Sequence, residues 1–158
     1  MGQYDRVSIE GQRITRRQRQ ALNHVSDITV HRYNLAIHYY QGSWEPKTDW
    51  SGTTHMGAGV CDLYVYGMST MKEDTLSEIT RLLRREGRQA AQLRGPFCKM
   101  PWHWHVCDLD TKGMDANAVW QVGQYRAPGG PFDGLTAGVR SHNPYRPNPI
   151  HKWMFKSN

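Results

Sequence analysis

The stretch WHWHVCDL, residues 102–109, alternates apolar and polar residues. A β-strand sends successive side chains to opposite faces. His103, His105 and Cys107 therefore share one face, while Trp102, Trp104 and Val106 share the other. The Trp–Val face is built to bury in a core and hold the strand rigid. Two imidazoles pointing the same way are what a metal or acid/base site requires. The strand thus predicts a small sheet with a site on one side.

A second stretch, THMGAGVCD at 54–62, supplies partners for those imidazoles. An unbroken strand from His55 to Asp62 would span roughly 23 Å and place the two on opposite faces. The chain must bend for them to converge. Gly57 and Gly59 reach backbone conformations closed to other residues, and Ala58 keeps the bend narrow. A catalytic zinc site commonly takes three ligands from His, Asp and Glu and leaves a fourth position for water, whose pKa falls to about 7. His55, Asp62 and one of His103 or His105 meet that requirement. The remaining histidine is then placed to act as a base.

Around these stretches the pattern predicts an α+β domain: a small antiparallel sheet with flanking helices. TRRQRQALNHV at 15–25 reads as a helix with Thr15 as N-cap. YNLAIHYY at 33–40 alternates like a half-buried strand. Residues 1–12 read as an irregular or extended lead-in, and 41–54 as a loop. A short strand continues from Asp62 through LYVY. Residues 75–86 form a helix with Leu76, Ile79, Leu82 and Leu83 on one stripe. Thr75 and Glu78 fit a capping box there, and Gly87 a C-cap. AAQL at 90–93 is a further strand. DANAVWQVGQY at 115–125 is a helix capped by Asp115. The expected domain covers residues 1–126. Residues 127–158, rich in Pro, Gly and Asn, read as an irregular C-terminal arm.

The chain has 158 residues, 38% of them hydrophobic, with 15 Gly, 8 Pro and a net charge of +6. This length suits one domain with its own core. The charge favours a polyanion, but no nucleic-acid motif or ladder of basic and aromatic residues is present, so no nucleic-acid partner is expected. No apolar run reaches membrane-spanning length. The N-terminus, MGQYDRVSIEGQRITRR, is unlike a signal peptide. Cys61, Cys98 and Cys107 are too few and oddly spaced for a disulfide framework, and read as buried reduced thiols. Asp108 and Asp110 read as loop or capping residues, Asp108 on the face opposite the histidines.

The motifs together resemble the zinc peptidases of the D-Ala-D-Ala carboxypeptidase and murein endopeptidase group, which also includes lysostaphin and the hedgehog signalling domain. The group's Ser/Thr-x-His-x-x-Gly-x-Ala-x-Asp pattern is met by Thr53, His55 and Asp62, with Ala58 and Val60 at the two small positions. The likeness is closer to small peptidase-like proteins of actinobacteria and their phages. It rests on QGSW at 41–44, SGTTHMGAGVCD at 51–62, HWHV at 103–106 and QVGQYR at 121–126, in the same order over roughly residues 13–135.

The resemblance implies His55, Asp62 and His105 as Zn²⁺ ligands and His103 as general base, with Gln41, Ser51 and Thr54 contacting substrate. It implies hydrolysis of peptide bonds in bacterial peptidoglycan. A phage-encoded protein, virion-associated or released at the cell wall, is the matching setting. Two departures stand out. Many carboxypeptidases of the group carry a catalytic Glu three residues before the last histidine ligand; here that residue is Met100 or Trp102. A substrate-binding Arg before the zinc histidine is replaced by Gln41. These departures motivate a second expectation, a virion or tail structural protein on a peptidase-like fold, in contact with other phage proteins.

Overall fold

The structure, a computed structural model, describes residues 2–46, 54–94 and 101–126. The fold is α+β, with three helices and two antiparallel sheets among the described residues. The expected arm, 127–158, lies outside them, as do Ser51, Thr53 and Cys98.

The N-terminal residues form a hairpin rather than an irregular lead-in. Strands β1 (Arg6–Ile9) and β2 (Gln12–Thr15) pair antiparallel through a two-residue turn at Glu10 and Gly11, both with positive φ. Such a turn matches the twist of the flanking strands. Thr15 caps helix α1 (Arg16–Tyr33), its side chain accepting from the Gln18 amide. The helix runs eight residues beyond the expected end at 25. Its buried stripe is Gln18, Leu22, Val25 and Thr29, half of it polar, which hides the helical period in the sequence. Asn34 ends it in a left-handed conformation, its amide reaching the Thr29 and Val30 carbonyls. The strand expected over 33–40 therefore shrinks to β3 (His38–Gln41).

The main sheet also contains β4 (Val60–Tyr64), β5 (Gln89–Arg94) and β6 (His103–Asp108), in the order β3–β4–β6–β5. Helix α2 (Glu73–Arg85) starts before the expected cap at Thr75. The Lys72 carbonyl accepts from the Thr75 and Leu76 amides, and Glu73 and Asp74 lie in the first turn, where the helix dipole favours acids. Helix α3 (Ala116–Arg126) is preceded by Asp115, whose carboxylate accepts from the Asn117 amide.

The helices cover opposite faces of the sheet. Leu22 and Val25 of α1 and Leu76, Ile79, Leu82 and Leu83 of α2 pack with Cys61, Leu63, Leu93, Trp104 and Val106. Trp104 is wholly buried and donates to Thr80 Oγ1 at 2.8 Å. On the other face, Ala118, Val122 and Tyr125 of α3 pack on Val60, Ala90 and Cys107. His103, His105 and Asp62 lie on this second face. The described segments contain no helix long and apolar enough to cross a membrane.

Candidate metal centre

Register places the site residues in rows across the sheet. Gln41 opposes Asp62, Asp62 opposes His105, and His105 opposes Gln92. Paired residues in antiparallel strands share a face. One row thus carries Gln41, Asp62, His105 and Gln92, and the next carries His103 opposite Arg94.

His55 enters from outside the sheet, in a short 3-10 turn, Thr54–Met56. The two glycines after it act differently. Gly59 has φ +76°, the left-handed region that favours glycine. Gly57 is needed for close approach: a Cβ there would strike the backbone of Met114 and Asp115. The Ala58 amide donates to the Gly113 carbonyl at 3.0 Å, pinning the turn to the segment before α3.

The QGSW segment, expected as loop, clamps this turn from the other side. The Ser43 hydroxyl donates to the Val60 carbonyl at 2.8 Å and accepts from the Val60 amide at 3.1 Å. The Trp44 amide donates to the Gly57 carbonyl and the Glu45 amide to the His55 carbonyl. His55 Nδ1 donates to the Gly42 carbonyl at 2.8 Å, which fixes its tautomer and orientation.

His55 Nε2 then lies 3.4 Å from Asp62 Oδ1, and His105 Nδ1 lies 2.8 Å from the same oxygen. The His105 Nε2 is 2.9 Å from Gln121 Oε1 on α3. All three side chains are buried, and one ligand atom from each lies within 4.8 Å of the others. The group could hold a metal ion.

The donor set fits a cation. With its Nδ1–H committed to Gly42, a neutral His55 turns its Nε2 lone pair toward Asp62. With Nε2–H donated to Gln121, a neutral His105 turns its Nδ1 lone pair toward the same carboxylate. Three lone pairs then face one buried point, and either protons or a cation must lie between them. Tetrahedral Zn–N and Zn–O bonds separate neighbouring ligand atoms by about 3.3 Å. The His55–Asp62 spacing matches this. The His105–Asp62 spacing is about half an ångström shorter.

The electrostatics agree. Without a cation, protons take that place: burial alone would raise the Asp62 carboxyl, but the charge on His55, with hydrogen bonds from His105 and His55, holds it well below the usual range. Burial pulls His55 down, yet the adjacent Asp62 outweighs it and leaves the pKa raised. Burial, with the Arg94 charge, pushes His105 down to about 4. His103, also buried, is lowered chiefly by desolvation. Its Nδ1 donates to the Pro101 carbonyl at 2.7 Å, and its Nε2 has no hydrogen-bond partner among the described residues.

The other expected residues fall as follows. Gln41 lies in the Asp62 row, half-buried. Thr54 is buried, immediately before His55. Asp108 accepts from Arg17, the Asp110 amide and Thr111, closing the turn after β6 on the face away from the histidines. Cys107 Sγ lies 3.7 Å from His105 Nε2, and burial pushes its thiol up to about 12. A thiol held protonated is a poor nucleophile. Sequence reading missed Gln92, Arg94 and Gln121 as site residues. Strand alternation through AAQLR would have found the first two; the QVGQYR match marked the third without giving it a role.

The chain matches no protein-family model, no curated protein and no solved structure.

Proposed function

We propose that the protein is a zinc-dependent peptidase of bacterial peptidoglycan. The observation that carries this reading is the buried convergence of His55, Asp62 and His105, with a His103 Nε2 on the same sheet face that has no hydrogen-bond partner among the described residues. Structural zinc sites close with four protein ligands, whereas catalytic ones keep a position open. The group here has three, among the described residues. The sequence resemblance supplies the substrate class. The net charge of +6 suits an anionic wall.

Zn²⁺ bound to this group supplies Lewis-acid polarisation of a carbonyl and acidifies water. The rest falls to the chain. Gly42 and Gln121 orient the two imidazole ligands through their outer nitrogens. His103 is neutral at pH 7 because its pKa is lowered, and its Nδ1–H bond to Pro101 leaves Nε2 as an acceptor. That nitrogen takes a proton from the attacking water and returns it to the leaving amine. It replaces the carboxylate that Met100 or Trp102 cannot provide. Gln41, in the Asp62 row, is positioned to contact substrate; Ser51 and Thr54 complete the proposed contacts.

The test is a muropeptide digest by zinc-loaded protein. His103→Ala should retain zinc and lose at least about a hundredfold in rate. Hydrolysis unchanged in that variant contradicts the mechanism. Stoichiometric zinc with no hydrolysis of any muropeptide favours the second reading, a virion or tail structural role, which the missing Glu motivates.

A further inference from the structure

Next to the metal group, the sheet carries an aromatic cluster that neither the core nor the proposed chemistry uses. Tyr64 follows Asp62 by two positions in β4 and so lies on the metal face. Its ring meets those of Tyr66 and of Tyr40, on β3, edge to face, at 5.7 and 6.5 Å between centroids. Tyr66 is 69% exposed and Tyr40 45%. Single exposed aromatics need no explanation, but three held ring against ring do.

The cluster is braced. His38 packs its ring on Tyr64 at 5.4 Å and on Tyr66 at 4.7 Å. Glu10, in the hairpin turn, places one carboxylate oxygen 2.9 Å from His38 Nδ1, and its other oxygen accepts from the Tyr39 amide. Rings fixed before binding lose little freedom when a ligand arrives.

The three tyrosines border a groove of about 330 Å³, whose other walls include Met68, Pro101 and Trp102. That size suits a single ring-sized unit, since ligand pockets span about 300–1,000 Å³. Among the described residues no charged side chain lines it, so the matching occupant is neutral. The Pro101 wall leads to the site, because its carbonyl accepts from His103 Nδ1 at 2.7 Å. An occupant of the groove therefore lies beside the proposed base.

A tyrosine presents an apolar ring face and a polar tip. A pyranose presents the complement, a face of C–H bonds and a rim of hydroxyls. An aliphatic peptide side chain would use the ring faces and leave the phenol tips unmatched.

We propose that Tyr40, Tyr64 and Tyr66 form a sugar subsite that stacks a pyranose ring of a neutral glycan chain and seats that chain beside the metal group. Sugar recognition stands on the groove alone; only its identification with the wall glycan rests on the peptidase reading.

The test is calorimetric titration with tri-N-acetylchitotriose, a neutral glycan that carries no peptide. Wild type should bind it saturably, and equally well with zinc or after stripping by chelator. Tyr66→Ala should weaken binding at least about fivefold, while Tyr66→Phe, which keeps the ring, should retain most of it. If Tyr66→Ala fails to fold, Tyr40→Ala serves instead, with the same loss expected. No binding by wild type, or unchanged affinity in the folded alanine variant, overturns the proposal. An equal loss in Tyr66→Phe and Tyr66→Ala overturns the stacking. A sugar-free wall peptide that binds in place of the glycan and is weakened by the same variants assigns the groove to peptide, and a fall from dimer to monomer in Tyr66→Ala assigns it to a second copy; either overturns the sugar subsite. The peptidase reading fails separately. Chitotriose binding with no muropeptide hydrolysis leaves the subsite standing, while muropeptide hydrolysis with no chitotriose binding removes the subsite and leaves the peptidase.

Discussion

The two faces of β6 differ in how completely their polar atoms are satisfied. On the helix-packed face, Trp104 and Val106 are wholly buried, and the Trp104 indole N–H reaches Thr80 Oγ1. On the other face, His103 Nε2, and Gln92 Nε2 on the adjoining strand β5, are buried without partners among the described residues. Both faces belong to one rigid strand, so the unsatisfied atoms are not the product of loose packing. Folding alone does not favour leaving donors and acceptors unpaired in a dry interior. The difference separates what the strand does for stability from what it offers to a ligand.

The largest break in the comparison comes from the core face. Trp104→Ala should destabilise the protein by about 3–5 kcal/mol, read as a lower urea midpoint, because it opens a cavity and removes the indole bond to Thr80. Thr80→Val, which leaves the indole N–H unpaired, should cost about 1–3 kcal/mol. On the site face the effect reverses in kind. His103→Ala removes an Nε2 that has no partner among the described residues, together with the Nδ1–H bond to Pro101, so stability should fall by about 1–2 kcal/mol, less than in Trp104→Ala, while hydrolysis is lost. A loss as large as that of Trp104→Ala would make His103 a structural residue.

Acid titration sharpens the contrast further. His105 is neutral in the fold down to about 4, whereas an unfolded histidine takes a proton near pH 6.5. A base whose folded pKa is depressed loses stability as pH falls from the unfolded value to the folded one. His103, also lowered, acts with the same sign. His55 is raised, so its contribution is already complete below about pH 6.5 and does not oppose them in this window. Asp62 adds its own loss only below about pH 4, as its depressed carboxyl is finally protonated. Metal-free protein should therefore lose stability between pH 6.5 and 4, and His105→Gln should flatten that limb. A limb unchanged in the variant contradicts the assignment. The smallest effect expected is that of Thr15→Ala, which removes the α1 cap far from either face and should cost about 1 kcal/mol.

The sheet and the two imidazoles of β6 were legible because alternation has a period of two and the residue types are distinctive. The glycine bend was legible as a bend, but not the reason for Gly57, which lies in a segment more than fifty residues away. Helix α1 was cut short because Gln18 and Thr29 are buried polar residues that break the apolar stripe; Gln18 reaches the Gly59 carbonyl and Gln89, and Thr29 the Leu35 carbonyl. Hydrogen bonds of this kind leave no periodic trace. Gln92 and Arg94 were passed over because AAQL reads as an ordinary strand; only pairing with β6 brings them beside the histidines. The clamp made by Gly42 and Ser43 is carried by a carbonyl and a hydroxyl, and no side-chain pattern announces it.

The central claim is that His55, Asp62 and His105 hold one cation between them. Dialysis against zinc at pH 7.5, followed by metal analysis of wild type and Asp62→Asn, tests it most directly, with circular dichroism to show that the variant is folded. Stoichiometric zinc in wild type and little or none in the folded variant is the predicted result. Equal zinc in both, or none in wild type, would contradict the claim.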